Sequence, residues 1–397
     1  MLNLDQRPAH EARGVHTPFQ SSYHDAVLAE LSSILFTSLS RSDQCRKGMQ
    51  YVRGLLETQG RKSIRNIAAL LGDQVSEQNL HHFISGSTWD WVPIRRALAN
   101  HVTAMAPPQA WVVQPMIIPK TGRHSVGVDK HFFPTLGQVL NAQRAIGVWA
   151  ASGDLSTPVN WRLHLPHAWL KDDLRRSQVA IPDGVGAETL SECVVEACLD
   201  TTTRWQLPVR PVVIDACEAH AVTIFDRLSG AGVPLLVKVD GDVRLTVADP
   251  ALPAGGGRPL TAQQIMSMAK DLRRPVLARD HGPAAARPRH WAATVRVGLP
   301  APGTQPTGRG EPPVLMGIGD EGGSWPAGLW LTNLTTTPPA SLVRLSRLTD
   351  KVARDFTDIA VPVGIRDFTG RSFDGWHRHV TLASAAHAVV ALAGQGR

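Results

Sequence analysis

The stretch Trp111-Val112-Val113-Gln114-Pro115-Met116-Ile117-Ile118-Pro119-Lys120-Thr121-Gly122 decides the fold that we expect for this chain. Its two apolar runs, 111–113 and 116–118, predict one buried strand, and the Pro-Lys-Thr-Gly sequence after them predicts a turn. Gln114 and Pro115 interrupt the strand at its middle, where a polar amide and a proline are uncommon. The run 124–128, His-Ser-Val-Gly-Val, then leads into a second strand. We therefore place the start of a folded core here.

Composition indicates a folded protein with an anionic partner. The chain has 397 residues, 43% hydrophobic and 19% charged, which allows two or three compact units. No apolar run approaches the roughly 18 residues that span a bilayer, and the N-terminus lacks a secretory pattern, so we expect a cytoplasmic protein without membrane contact. A net charge of +7 and a pI near 9.6 suit nucleic acid, or a generally basic enzyme.

The N-terminal region is predicted to be helical. Residues 1–24 lack periodicity and form a loose arm, whereas residues 25–106 repeat their apolar positions at helical spacing. A helix capped by Ser63 and stopped by Gly72, followed by a second helix from Ser76 to Gly86, has the order of a helix-turn-helix. The alternative is an ordinary helical pair. Basic residues crowd residues 41–65, and these could contact phosphates: Arg46, Lys47, Arg53, Arg61, Lys62 and Arg65.

The rest of the chain predicts an α/β core with an insertion. Residues 109–239 contain three strands that short turns would make antiparallel, a helix over 189–202, and a short strand, 212–215, that ends in an acid. Residues 240–335 read as a β-rich insertion, and residues 340–394 return to helix.

Three motifs carry a resemblance to bacterial insertion-sequence transposases of the DDE superfamily. The family's first catalytic block is Trp-aliphatic-aliphatic-Asp-Asp-Thr-Gly-Phe-Pro-Lys-Lys-Gly, then His-Ser-Val-Gly-Val, and residues 111–128 match most of it. Residues 54–90 match the family's helical region, and residues 368–382 match its C-terminal block, Phe-Glu-Gly-Arg-Ser-Trp…Gly-Trp-His-(His/Arg)-His-Val-Thr-Leu. The resemblance spans about residues 35 to 394. It implies an RNase H-like core, an N-terminal helical DNA-binding domain and a β insertion before the last core helices.

The resemblance also implies a catalytic site, and this chain departs from it. DDE enzymes use Mg²⁺ or Mn²⁺ held by three carboxylates to cut and join DNA. At the family's three positions stand Gln114, Asp215 and, counted back from Gly370, Asp358, so the implied metal ligands are Asp215 and Asp358. Pro362 should break the helix that carries the third acid, and Asp350 replaces a family tryptophan. Loss of one charge should remove most of the affinity for metal.

Two sets of residues could rescue chemistry in the cleft. Asp129 could replace the missing acid, or it could simply pair with Lys130 at the surface. Cys217, Glu218 and His220 follow Asp215 where the family has small residues, and a thiol beside an imidazole could be a nucleophile and its base. The alternative is drift after loss of DNA cleavage.

Three functions follow from these observations. One is a domesticated or catalytically impaired transposase that binds double-stranded DNA without cutting it. Another is an active metal-dependent strand-transfer enzyme, working as a homo-oligomer, with a rearranged set of carboxylates. The third is an enzyme of different chemistry that takes a small molecule in the old cleft, without metal. The motifs add Lys120, Arg371, His377 and Arg378 as DNA contacts, and His377 and His379 lie too close in sequence to share one helix face.

Overall fold

The N-terminal part is a set of packed helices, and the first begins at Pro18, so residues 18–24 are helical instead of belonging to the loose arm that we expected over residues 1–24. The computed structural model describes residues 18–72, 75–133, 136–215, 220–252, 258–276, 290–299, 311–320 and 322–395. Five helices come first: α1 Pro18–Leu35, α2 Ser42–Glu57, α3 Ile64–Leu71, α4 Glu77–His81 and α5 Val92–Met105. The Ser63 hydroxyl accepts from the Asn66 N–H at 3.2 Å, and Gly72 ends α3 with φ of 61°. Both predicted helix boundaries are confirmed, because the cap residues satisfy the backbone groups at each end.

The core strands have the predicted order. Three strands of the core are antiparallel neighbours: β1 Ala110–Pro119, β3 Gln138–Ala151 and β4 Ser156–Leu163. A short strand, β2 Asp129–Phe133, pairs with the first residues of β3. Two short strands follow, β5 Val212–Asp215 and β6 Leu235–Lys238, and β5 runs parallel to both β1 and β6. Four helices lie between β4 and β6: α6 His167–Lys171, α7 Asp173–Gln178, α8 Leu190–Leu199 and α9 Ala221–Gly230.

The insertion extends the same sheet instead of forming a separate one. Its strands are β7 Arg244–Val247, β8 Leu260–Thr261, β9 Arg274–Val276, β10 His290–Gly298, β11 Val314–Asp320 and β12 Gly328–Thr332, with α10 Ala262–Met268 after β8. Strand β12 pairs antiparallel with β6, so one mixed sheet runs in the order β2-β3-β1-β5-β6-β12-β11-β10-β7-β8. This is an α/β fold of the RNase H-like kind.

Three C-terminal helices complete the core: α11 Pro339–Ser346, α12 Leu348–Asp355 and α13 Phe373–Gln395. Helix α12 packs on β1 and ends at Asp355, where a π-helical turn, Phe356–Ala360, takes over before Pro362. Helix α13 is buried along most of its length because it packs on β4 and against α1, α2 and α5. It thereby joins the N-terminal helices to the core. Within the described residues, no helix combines the length and the hydropathy needed to cross a bilayer.

Candidate functional site

The candidate site is a cleft beside the carboxyl end of β5. Val113 of β1 pairs with Ile214 of β5, so the next residues along these parallel strands are Gln114 and Asp215. Helix α12 closes the cleft, whose volume is about 350 Å³. Most lining residues are apolar, and the polar ones are Gln114, Arg144, Asp215, Thr349 and Asp350. Ligands of open α/β sheets bind at this end of the strands.

Asp215 is held by a lysine from the next strand. Asp215 and Lys238 are register partners at the ends of β5 and β6, and the Lys238 Nζ lies 2.7 Å from the Asp215 Oδ2. The Gln114 side chain donates at 3.3 Å to the carbonyl of Pro115, a long contact. Among the described residues, Asp215 is the predicted carboxylate that lines the cleft, and the ammonium of Lys238 lies against it. Lys238 was not predicted from the sequence, although its place at the end of the strand after Asp215 was a usable signal.

Asp358, the predicted third carboxylate, does not lie at the cleft. Asp358 is exposed on the π-helical turn after α12 and does not line the cleft. Helix α12 instead turns Thr349, Asp350 and Ala353 toward the cleft, while Leu348 and Val352 pack into the core. The acid that faces the cleft with Asp215 is thus Asp350.

The described residues do not fit a two-metal site. A pair of divalent cations needs several carboxylate oxygens, and the cleft offers two carboxylates, one of which is paired with an ammonium. In the part of the chain that the structure describes, no group of three or more His, Cys, Asp or Glu side chains could hold a metal ion.

The rescue residues lie apart from this cleft or outside the described chain. Asp129 is exposed at the start of β2, and its carboxylate accepts from the Lys130 N–H at 2.8 Å. His220 precedes α9, where it is exposed and its N–H donates at 3.0 Å to the Ser191 Oγ. Cys217 and Glu218 lie outside the described residues, so the proposed nucleophile and base remain a prediction.

The residues predicted to contact DNA differ in exposure and in ion pairing. Arg46, Arg61, Arg65 and Arg371 are exposed. Lys47 pairs with Asp43 at 3.2 Å, and Arg53 pairs with Asp25 at 3.1 Å, so neighbouring carboxylates already partly neutralise both residues. Lys120 is partly buried, with its Nζ donating to the Phe368 carbonyl at 2.9 Å, and burial lowers the pKa of Lys120 to about 8.

Three residues that were predicted to contact DNA, Lys62, His377 and Arg378, have buried side chains in this structure. Lys62 is buried and its ammonium donates to the Thr58 carbonyl. His377 stacks on Trp91 with ring centroids 4.7 Å apart, and burial, with nearby Arg95, lowers its pKa well below the usual value. Arg378 is 2% exposed and donates to the carbonyls of Trp89 and Ile84 at 3.0 and 3.1 Å. None of the three side chains can reach a phosphate without unpacking α13 or the loop after α2.

The fold and the cleft together indicate the RNase H-like class of α/β proteins. They combine three antiparallel strands, a parallel strand that ends in an acid, and a helix beside that acid. Residues 34–299, more than half of the chain, match the family model described as DDE superfamily endonuclease. The chain belongs to this family, as its motifs indicated. A search of curated proteins found no match.

Proposed function

We propose that this DDE-family protein binds duplex DNA and has lost the standard two-metal cleavage of its family. One observation carries the second half of the proposal: the ammonium of Lys238 lies 2.7 Å from Asp215, beside a neutral Gln114. Family members generally use Mg²⁺ or Mn²⁺. The positive charge of the chain and its family support the DNA half.

Electrostatics explains why the cleft should reject a dication. A bridging carboxylate would contribute a full negative charge, and Gln114 contributes none. The Lys238 ammonium already compensates the charge of Asp215, and a metal entering there would have to displace it or bind beside it against like-charge repulsion. Both changes disfavour a bound cation, so their effects should add.

Calorimetry with Mn²⁺ tests the metal half of the proposal. We would titrate the wild type, Gln114→Asp, Lys238→Met and the double variant. The double variant should bind Mn²⁺ at least about tenfold more tightly than the wild type, and each single variant should gain less. Adding Asp215→Ala to the double variant should abolish the gain. Tight Mn²⁺ binding by the wild type that Asp215→Ala removes would overturn the proposal.

Nicking of supercoiled plasmid gives the matching functional readout. The wild type with Mn²⁺ should leave the plasmid intact under conditions in which an active DDE nuclease nicks it. Metal-dependent nicking by the wild type that Asp350→Asn or Asp129→Asn removes would instead favour a rearranged carboxylate set.

A second candidate function rests on the walls of the cleft. Ten of its lining residues are apolar, among them Val113, Ile146 and Val194, and such walls suit a small organic molecule better than a polyanion. This is the repurposed enzyme without metal. A thermal-shift screen of small molecules on the wild type and on Val194→Trp, which would fill the cleft, tests it. A compound that stabilises only the wild type supports this candidate, whereas equal shifts in both proteins count against it.

A further inference from the structure

We propose that DNA phosphates contact a basic surface where the N-terminal helices meet the core, and that the helix-turn-helix-like α3–α4 pair is not the main contact. We call it the junction surface and define it by Arg61, Arg123, His124, Arg175 and Arg371. The inference rests on the DNA half of the proposed function and names the surface that carries it. Only Arg61 and Arg371 were expected to contact DNA from the sequence.

Hydrogen bonds hold these residues on one loop and its neighbours. The loop 120–126 follows β1, and the Arg175 Nη2 donates at 3.1 Å to the carbonyl of Arg123 within it. The N–H of Val126 donates at 3.1 Å to the carbonyl of Arg371. The segments that carry Arg123, Arg175 and Arg371 are therefore in direct contact.

Arg61 joins the same surface from the helical side. Lys62, the next residue, donates its N–H at 2.7 Å to the carboxylate of Asp367, which directly precedes Phe368. Lys120 begins the loop and is fixed by its bond to the Phe368 carbonyl. Residues from three separate parts of the sequence thus present positive charge around one loop.

The charges of the junction surface are less compensated than those of α2. Arg61, Arg123 and Arg371 are exposed, and within the described residues their guanidinium groups form no ion pair. The nearby carboxylate of Asp367 accepts from the N–H of Lys62 at 2.7 Å. On α2, in contrast, Lys47 pairs with Asp43 and Arg53 pairs with Asp25, and Arg46 is exposed. A cationic surface whose arginines form few ion pairs is what a phosphate backbone binds.

Arg175 adds a rigid platform to this surface. Its guanidinium lies 3.7 Å from the centre of the Trp169 ring, and the Trp169 indole N–H donates to the Val128 carbonyl at 2.9 Å. The stack fixes the arginine in place, so less side-chain freedom is lost when it meets a phosphate. Arg61, Arg123 and Arg371 lie in loops, from which we expect contacts to the phosphate backbone more than contacts to base edges.

The test compares two matched sets of arginine substitutions. The first variant carries Arg61→Gln, Arg123→Gln and Arg371→Gln, and the control carries Arg46→Gln and Arg65→Gln on α2 and α3, also exposed. Fluorescence anisotropy with a labelled mixed-sequence duplex gives the affinity from about 50 to about 200 mM salt. Each lost phosphate contact should reduce the magnitude of the negative slope of log K against log salt by about 0.9, so the slope of the triple variant should be shallower by about 2 to 3. Gln keeps the main-chain bonds of Arg123 and Arg371, and thermal unfolding confirms the fold.

The outcomes separate this inference from the proposed function. A triple variant that binds at least about tenfold more weakly, with the reduced slope, beside a control that binds like the wild type supports the junction surface. If the control loses DNA binding and the triple variant keeps it, the junction surface is not the DNA contact. That result would assign DNA binding to the α3–α4 pair and leave the proposed function unchanged. If the wild type does not bind DNA at any salt concentration, both the proposed role of the junction surface and the DNA half of the proposed function are wrong.

Discussion

Arg95 shows at the scale of one residue how the two halves of the protein are joined. It is 2% exposed on α5, and its guanidinium donates to the Thr381 Oγ1 at 2.7 Å and the Trp161 carbonyl at 2.6 Å. It also donates to the carbonyl of His377 at 3.2 Å. One side chain thus connects α5, β4 and α13. A buried guanidinium is tolerable only because so many acceptors surround it.

We expect Arg95→Met to lower the free energy of unfolding by about 3 kcal/mol. The carbonyls that now accept hydrogen bonds from Arg95 would stay buried without a donor. Urea unfolding followed by circular dichroism measures the change. The neighbouring Arg96 is exposed, so Arg96→Met is the matched control and should change stability by less than about 0.5 kcal/mol. Equal effects of the two substitutions would contradict the role given to Arg95.

Helix α13 makes the protein sensitive to acid at the scale of one element. His379 and His387 are fully buried in it, and burial lowers the pKa of each to about 4. In the unfolded chain a histidine titrates near 6.5. Below about pH 6.5, these histidines therefore bind protons in the unfolded chain but not in the folded protein. The free energy of unfolding decreases as the pH falls toward 4.

The loss should reach about 1.4 kcal/mol per pH unit for each of these histidines. The melting temperature at about pH 5 should therefore lie well below that at about pH 7. His387→Gln should make the pH dependence shallower by about one proton, whereas the exposed His82→Gln should leave it unchanged. A melting temperature that is the same at both pH values would show that the buried histidines do not titrate on unfolding.

At the scale of the whole molecule, α13 should make the chain unfold as one unit. It packs on β4 and against α1, α2 and α5, so the N-terminal helices and the sheet share one core. We expect a single calorimetric transition whose van't Hoff and calorimetric enthalpies agree. Two separated transitions would mean that residues 25–106 are an independent domain.

The sequence predicted the fold well where local signals decide it. Ser63 and Gly72 bound α3 as expected, and the strand 212–215 has the predicted ends. The site was harder, because it depends on which residues distant parts of the chain bring together. Lys238 reaches Asp215 only through the pairing of β5 with β6, and Asp350 replaces Asp358 at the cleft because α12 ends at Asp355. The sequence motif led us to expect Arg378 at the surface, although in the structure the helices around α13 cover it.

The pair of Asp215 and Lys238 has a consequence for descent. On the proposed function, a mutation that put an acid at position 114 would add little affinity for metal, because the ammonium of Lys238 would still lie against Asp215. A mutation that removed Lys238 first would remove that ammonium but leave Gln114 neutral, so the charge of a bridging carboxylate would still be absent. Neither substitution alone would then favour metal binding, and a descendant of this chain would need both changes before selection could act on cleavage.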